Sequence, residues 1–590
     1  MSSMVGFADR ALGIRWLKSH FCPGRSSSEP FQLPPTFAGP TNFCFMSSNI
    51  ARFLPQTALA QPEYCALKIL AGGSASSIQY RSLSFGELER LSNQCAAYLR
   101  MRGIQKGSRV QLAVKPGLEL ILITFALFKL AAVPVIIDPG MGRKNFLTSV
   151  KRTSPEFFIG IPVAIWLSRL FSSSFRGVKS RIKVGSKFEK VLDRQNLSPP
   201  ILEDTREDDI AAILFTSGST GPPKGVLYEH GMFDAQVRLI GEVFGIERGE
   251  VDLPMLPIFA LFNPAFGMTT VVPEMNPSRP ATVDAQKIVQ AIRQSEVTNS
   301  FGSPVIWKKI SDYCVQESIQ LPSIRRVFMA GAPVPPDLIR SFLPIIPNGE
   351  IHTPYGATES LPISSISGNR VLSETRTKTN LGAGTCVGKP LPEVEVKIIE
   401  IRDVPIPEIS GAKELSAGEV GEIIVKGPMV TKAYDQLEEA TRMAKIQEGD
   451  SVWHRLGDTG YLDADESLWF CGRVAERVQT SDGVLFTDPV ETYFNQQSGV
   501  ARSALIGLGD PPEQTPAVVI EPEPENWSDD YLDNKNWESE LLAKIPEDSV
   551  AKRIQKIFFY KDFPVDVRHN AKIHRLTLAR LFAESVMNKE

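Results

Sequence analysis

The chain has no long apolar run, no block of like charge and no cysteine framework, and each lack removes a class of protein. The unusually apolar stretch 157–171 is interrupted by Gly160 and Pro162 and is too short to span a bilayer. Basic Arg176, Lys179, Arg181 and Lys183 follow it. Two readings stand there: a surface helix making peripheral contact with a membrane or a partner, and a strand followed by a packed helix. A net charge of −3, without basic tracts, zinc-ligand spacing or an aromatic RNA-binding motif, gives no reason to expect a nucleic-acid partner. Cys22, Cys44, Cys65, Cys95, Cys314, Cys386 and Cys471 are scattered singly in an odd number. That fits a reducing compartment, so a cytoplasmic setting is expected. No internal repeat stands out.

What is present is an ordinary globular composition, 43% hydrophobic and 22% charged. At 590 residues the chain is too long for one core and implies two or three domains. Residues 1–45 are expected to form a poorly structured, Ser/Pro-rich extension. Within them 5–20 has the pattern of a short amphipathic helix, but no long apolar core marks a signal peptide, and Asp9 and Glu29 weigh against organelle targeting. The favoured reading is an over-long start, with Met46 the true initiator.

Beyond Met46 the pattern predicts that Ser82–Leu88 starts a helix running through Leu99, then a strand at Val110–Val114. A helix at Leu118–Leu130 and a strand and turn at Val133–Pro139 follow. Such alternation argues for parallel α/β layers, and it recurs to about residue 350. Residues 418–435 and 457–471 read as short strands of a β-rich lobe, and the text after Arg473 as a small α+β domain. The expected division is therefore 46–472 and 473–590.

The most informative segment is Phe215-Thr216-Ser217-Gly218-Ser219-Thr220-Gly221-Pro222-Pro223-Lys224-Gly225. A buried strand, Ile210–Phe215, opens into a loop of hydroxyls, glycines and one lysine. Glycines let backbone N–H groups approach an anion, the hydroxyls add donors, and Lys224 adds charge. Such a loop suits a polyphosphate. It differs from the kinase-type P-loop, which needs Gly-Lys-Ser/Thr.

This loop resembles the phosphate-binding loop of the adenylate-forming enzymes: acyl-CoA synthetases, luciferases and peptide-synthetase adenylation domains. The other motifs follow in order over roughly residues 48–585. Gly331-Ala332-Pro333 looks like the adenine-pocket segment. In Tyr355-Gly356-Ala357-Thr358-Glu359 the resemblance implies that Thr358 contacts the α-phosphate and Glu359 helps hold Mg2+. Gly421-Glu422 through Gly427 to Tyr434 resembles a structural motif. Gly457-Asp458-Thr459-Gly460-Tyr461 carries the ribose-binding aspartate, and Gly472-Arg473 resembles the interdomain hinge region, with Arg473 also gripping the ribose. Asn570-Ala571-Lys572 places Lys572 where the family keeps its catalytic lysine. The implied substrates and cofactors are ATP and Mg2+, and the implied plan is a large N-terminal domain with a small mobile C-terminal lid. The chemistry is consistent, because joining a carboxylate to the α-phosphorus of ATP brings two anions together and demands positive charge. Alone, each of these charged residues reads as a solvated surface group; in an ordered series they read as a site.

The departures from the family are informative. Ile258-Phe259-Ala260 stands where many acyl-CoA ligases have an aromatic-His pair. Ala475 replaces the hinge charge, and Gln479 the lysine of the segment that builds the thioester-forming state. Both departures weigh against CoA transfer. Longer stretches look like the β-lactone synthetases of bacterial long-chain olefin biosynthesis. They are Asp252-Leu253-Pro254, Phe259–Met268, Met275–Pro280, His352–Glu359, Leu468–Arg473 and Phe563–Lys572. This resemblance implies adenylation of a long-chain 2-alkyl-3-hydroxy fatty acid, then attack by its own 3-hydroxyl to give a β-lactone. Implied partners are that acid and thiolase-like or other olefin-pathway enzymes. The rivals are a fatty acyl-CoA ligase with a drifted hinge and a carrier-protein-loading acyl-AMP ligase. Phe259–Met268 is expected either to wall an alkyl pocket or to pack in the core. His352 and His569 have the pKa range of a general base, and each is equally a structural histidine.

Overall fold

The computed structural model describes residues 47–185, 188–193, 200–216, 222–565 and 573–587. Among them the strands form a 14-stranded and a 6-stranded sheet, with smaller 3-stranded and 2-stranded sheets near the C-terminus.

The six-stranded sheet runs Ser180–Lys183, Phe157–Gly160, Arg109–Ala113, Val133–Ile136, Ile210–Thr216, Lys224–Glu229. All neighbours are parallel except the last pair, which is an antiparallel hairpin. The helix Leu118–Lys129 is buried along nearly its whole length beneath this sheet's core. Its fully buried Lys129 is satisfied by Glu89 Oε2 at 2.7 Å and Asn93 Oδ1 at 2.8 Å, as a buried ammonium must be.

The larger sheet has two characters. Thr269–Val271, Val251–Pro254, Asn299–Gly302, Arg326–Met329 and Glu350–Ala357 are parallel neighbours. From Ser360–Ser367 through Thr385–Pro390, Leu468–Arg473, Ser451–Leu462 and Gly421–Lys426 to Glu395–Ile399 every pairing is antiparallel. That second part is the β-rich lobe. After it come the strands Val500–Leu508, Thr515–Pro522 and Lys556–Phe559 with the helices Thr487–Phe494, Tyr531–Ala543 and Arg575–Met587. The architecture is thus α/β, with a large N-terminal part and a small α+β C-terminal part.

The sequence expectations hold for most elements, with one correction. Ser82–Ser84 does not begin a helix. It ends the strand Ser77–Ser84, because Leu83 pairs with Leu67 and is buried. Ser84 then caps the helix Phe85–Met101: its hydroxyl accepts from Glu87 N at 3.2 Å, and Glu87 Oε2 accepts from Ser84 N at 2.8 Å. Of the two readings of Phe259–Met268, core packing describes most of the segment. Phe262, Phe266 and Met268 are buried core, and only Ala260 of this run lines a narrow, mostly apolar cavity. Leu120, Ile121, Met255, Val272 and Met275 supply much of the rest of its wall.

The stretch 157–171 resolves into the strand Phe157–Gly160 and the helix Pro162–Leu170. Among the described residues no helix is long and apolar enough to cross a membrane.

Candidate active site

The strands of both sheets deliver their loops to the site. Thr216 and Lys224 face each other across the antiparallel hairpin Ile210–Thr216/Lys224–Glu229, which pins both ends of the phosphate-type loop. Ser217, Gly218, Ser219, Thr220 and Gly221 lie outside the described residues. The hairpin is clamped from the β-rich lobe: Asp435 N donates to Gly225 O at 2.7 Å, Leu227 N donates to Ala433 O at 3.3 Å, and Val226 bridges Tyr434. Gly225 permits this approach. A Cβ there would lie 3.0 Å from the Phe215 ring and 3.2 Å from Asp435 Cβ. The Asp435 carboxylate is in turn held by Arg109 at 3.0 Å.

Glu359 occupies the turn joining Glu350–Ala357 to Ser360–Ser367. The Tyr434 hydroxyl donates to Glu359 Oε1 at 2.7 Å, and Thr431 fixes the backbone, its N and Oγ1 reaching Glu359 O at 2.9 and 3.1 Å. The Tyr228 hydroxyl donates to Thr358 O. Lys224 Nζ sits 4.7 Å from the centre of the Tyr434 ring, and burial lowers its pKa while Glu359 opposes that shift. Burial likewise raises the pKa of the Tyr434 hydroxyl, as does the neighbouring Glu359 charge, so it remains a donor. Lys445 is buried behind this group, donating to Thr431 O, and its pKa falls to about 7 through desolvation.

A second cluster forms where the β-rich lobe meets the parallel strands. Asp458 stands opposite Arg473 in the pairing of Ser451–Leu462 with Leu468–Arg473, and the two form an ion pair. The Tyr355 hydroxyl donates to Asp458 Oδ2 at 2.6 Å. The Asp458 charge raises the pKa of Arg473, which stays cationic. Gly331, Ala332 and Pro333 follow the C-terminal end of Arg326–Met329, the parallel neighbour of the strand that carries Tyr355 and Gly356. Crevices at the C-terminal ends of parallel strands are where α/β proteins bind nucleotides.

Lys572 and His569 lie outside the described residues, but the flanks of their segment are built. Val565 bridges Ile573. Arg575 grips Glu491 with two bonds of 2.6 Å and Glu476 with one of 3.0 Å. His352 packs between Phe244 and Phe328, ring centres 5.1 and 5.6 Å away, and burial lowers its pKa. Its Nε2 lies 3.6 Å from Glu350 Oε2, whose charge opposes that lowering. Ala475, at the position where the family resemblance expects a hinge charge, is exposed within the turn Val474–Glu476.

The sequence marks Tyr434 only as the end of a structural motif and Tyr228 only as part of an apolar stretch, and it does not mark Lys445. Tyr434 was recoverable in principle, standing at the end of a recognised motif. Nothing local marks Lys445, whose role depends on a neighbour fourteen positions away.

Lys224 and Glu359 both meet Tyr434, and Tyr355 joins the Asp458–Arg473 pair where the β-rich lobe meets the parallel strands. The AMP-binding enzyme family model matches residues 55–435, and the chain belongs to that family. It is 42% identical to the olefin beta-lactone synthetases of Xanthomonas campestris pv. campestris and Stenotrophomonas maltophilia. Each match covers 90% of this chain and 97% of the relative. O-succinylbenzoate coenzyme A synthetase from Bacillus subtilis, solved with ATP and magnesium ion, has the same fold. Its TM-score is 0.69 at 23% identity, covering 89% of this chain and 98% of that one.

Proposed function

We propose that the protein activates a long-chain 2-alkyl-3-hydroxy fatty acid with ATP and closes it to a β-lactone. The observation that carries the reading is that Lys224, Glu359 and Tyr434 meet one another within reach of the Arg473 charge of the Asp458–Arg473–Tyr355 cluster, with an uncharged, exposed Ala475 at the expected hinge. Asp458, aligned by Tyr355 and Arg473, offers its carboxylate to the ribose hydroxyls. Gly331–Pro333 and Tyr355-Gly356 flank the base, and the loop from Thr216 to Lys224 cradles the phosphates.

Glu359 fits magnesium. Tyr434 occupies one carboxylate oxygen and leaves the other available. Among the described residues no cluster of three His, Cys, Asp or Glu forms a cage, and a single carboxylate beside substrate phosphates is a donor set magnesium uses. Bound there, the ion neutralises phosphate charge. Lys224 adds a fixed charge, and the motif series assigns to Lys572 the charge that would bridge the substrate carboxylate and the α-phosphate.

In the first step the carboxylate oxygen bonds to the α-phosphorus and pyrophosphate leaves. In the second, the 3-hydroxyl oxygen bonds to the acyl carbon, its proton is released, and the acyl–phosphate bond breaks to free AMP. The nucleophile is tethered, so proximity lowers the barrier without a second substrate. Leu120, Ile121, Met255, Ala260, Val272 and Met275 offer the apolar wall against which the alkyl chains would begin to lie.

The test is incubation with ATP, Mg2+ and a synthetic 2-alkyl-3-hydroxy fatty acid without CoA, followed by NMR. Lactone with AMP is expected. Thioester formed only after CoA is added, with no lactone, would return the protein to the acyl-CoA ligases.

A further inference from the structure

The helix Pro162–Leu170 turns Ile165 and Ser168 into the core and presents an apolar outer face. Val163, Trp166, Leu167 and Leu170 are 54%, 60%, 39% and 60% exposed among the described residues. Their i, i+3, i+4, i+7 spacing puts them in one stripe. Single apolar residues on a surface are ordinary, whereas a contiguous apolar stripe marks an interaction site.

The charge around the stripe says what the site meets. From Arg143 to Lys183 the chain has nine Lys and Arg residues and one acid, Glu156, although its overall net charge is −3. That acid is already paired with Lys179 at 2.7 Å. Arg143, Lys144, Lys151, Arg169, Arg176 and Lys183 are exposed. The helix Arg143–Thr153, the helix Pro162–Leu170 and the turn Ser172–Phe175 share one core. Phe146, Val150, Ile165 and Phe175 pack together on the sheet face formed by Val133, Val135, Phe158 and Ile213. The basic groups and the apolar stripe therefore cover the same side of the six-stranded sheet.

We infer that this face docks on an anionic lipid bilayer. Trp and Leu on one side of a short helix, on a sheet side that also carries exposed Lys and Arg, is the composition of an in-plane interfacial helix. The negative surface potential of such a membrane attracts clustered basic residues. A second copy of the chain would bring the same excess of positive charge against itself, so self-association through this face is disfavoured. The inference does not rest on the reaction assigned above, and lipid binding is measured without turnover.

The experiment is co-sedimentation of the full chain with phosphatidylcholine vesicles, pure or containing about one-third phosphatidylglycerol. The expected result is partition onto the anionic vesicles, weak partition onto the neutral ones, and loss of binding as salt rises. Trp166→Glu with Leu170→Glu should lower anionic partition by about tenfold or more. Arg169→Gln, Arg176→Gln and Lys183→Gln should each lower it about fivefold. The ATP–pyrophosphate exchange rate of each variant should match wild type and certify folding. Equal binding to neutral and anionic vesicles, or variants that bind like wild type, would overturn the proposal. So would a lipid-free dimer that the Trp166→Glu/Leu170→Glu variant disperses, since the face would then join two copies.

Discussion

Tyr434 shows how one side chain from the β-rich lobe serves a loop on the other sheet. Its hydroxyl holds Glu359 Oε1 and its ring lies against Lys224, so it sets the geometry of an acid and a base that do not bond to each other. Tyr434→Phe keeps the ring and removes the hydrogen bond. A bond to a carboxylate contributes about 1.5–3 kcal/mol, so the variant should lose about tenfold in ATP–pyrophosphate exchange at limiting Mg2+ and recover part of it as Mg2+ is raised. An unchanged rate at limiting Mg2+ would show that Glu359 needs no such support.

The antiparallel pair Ser451–Leu462/Leu468–Arg473 places Asp458 beside Arg473 through its register alone. That register contains a bulge between Thr459 and Gly460, and Gly460 is packed so tightly that a Cβ would lie 2.2 Å from Trp469 O and 2.9 Å from Ile423 Cδ1. Gly460→Ala must push the strands apart two residues from Asp458. Overpacking of this kind costs about 1–3 kcal/mol, read as a lower denaturant midpoint. The ATP KM should rise with it, because the Asp458–Arg473 pair moves. A destabilised variant with an unaltered KM would mean that Asp458 is not on the ribose.

Across the whole molecule, the C-terminal part is joined to the larger part by specific contacts as well as by the chain. Thr385 Oγ1, in the strand Thr385–Pro390, donates to Asp488 Oδ2 at 2.9 Å at the start of the helix Thr487–Phe494. Burial raises the Asp488 pKa to about 7, and Glu491 adds to the shift while Thr385 opposes it. A folded-state pKa above the ordinary 3.8 means a stabilisation that is complete below about 3.8 and is lost as pH rises through about 7. Asp488→Asn has no such titration. Thermal unfolding followed between about pH 5.5 and 8 should therefore show a flatter pH dependence in the variant than in wild type. Parallel curves would contradict the buried, proton-holding state.

The sequence by itself determined the fold class and named most of the candidate site, because adenylate chemistry needs particular residue types at short, local spacings. The phosphate-type loop, the Thr358-Glu359 turn and the strand carrying Asp458 are each legible within a dozen residues. Strand and helix periodicity likewise gave Arg109–Ala113, Leu118–Lys129 and Val133–Ile136 to within a residue or two. What only the tertiary structure decided depends on separations of tens to hundreds of positions. Tyr355 meets Asp458, Tyr434 meets Glu359 and Arg575 meets Glu491 because sheet topology, not local pattern, sets those neighbours. Burial is decided at the same level. Phe262 and Met268 went into the core, while Trp166 and Leu170, no less apolar, were left facing outward on the surface of the sheet.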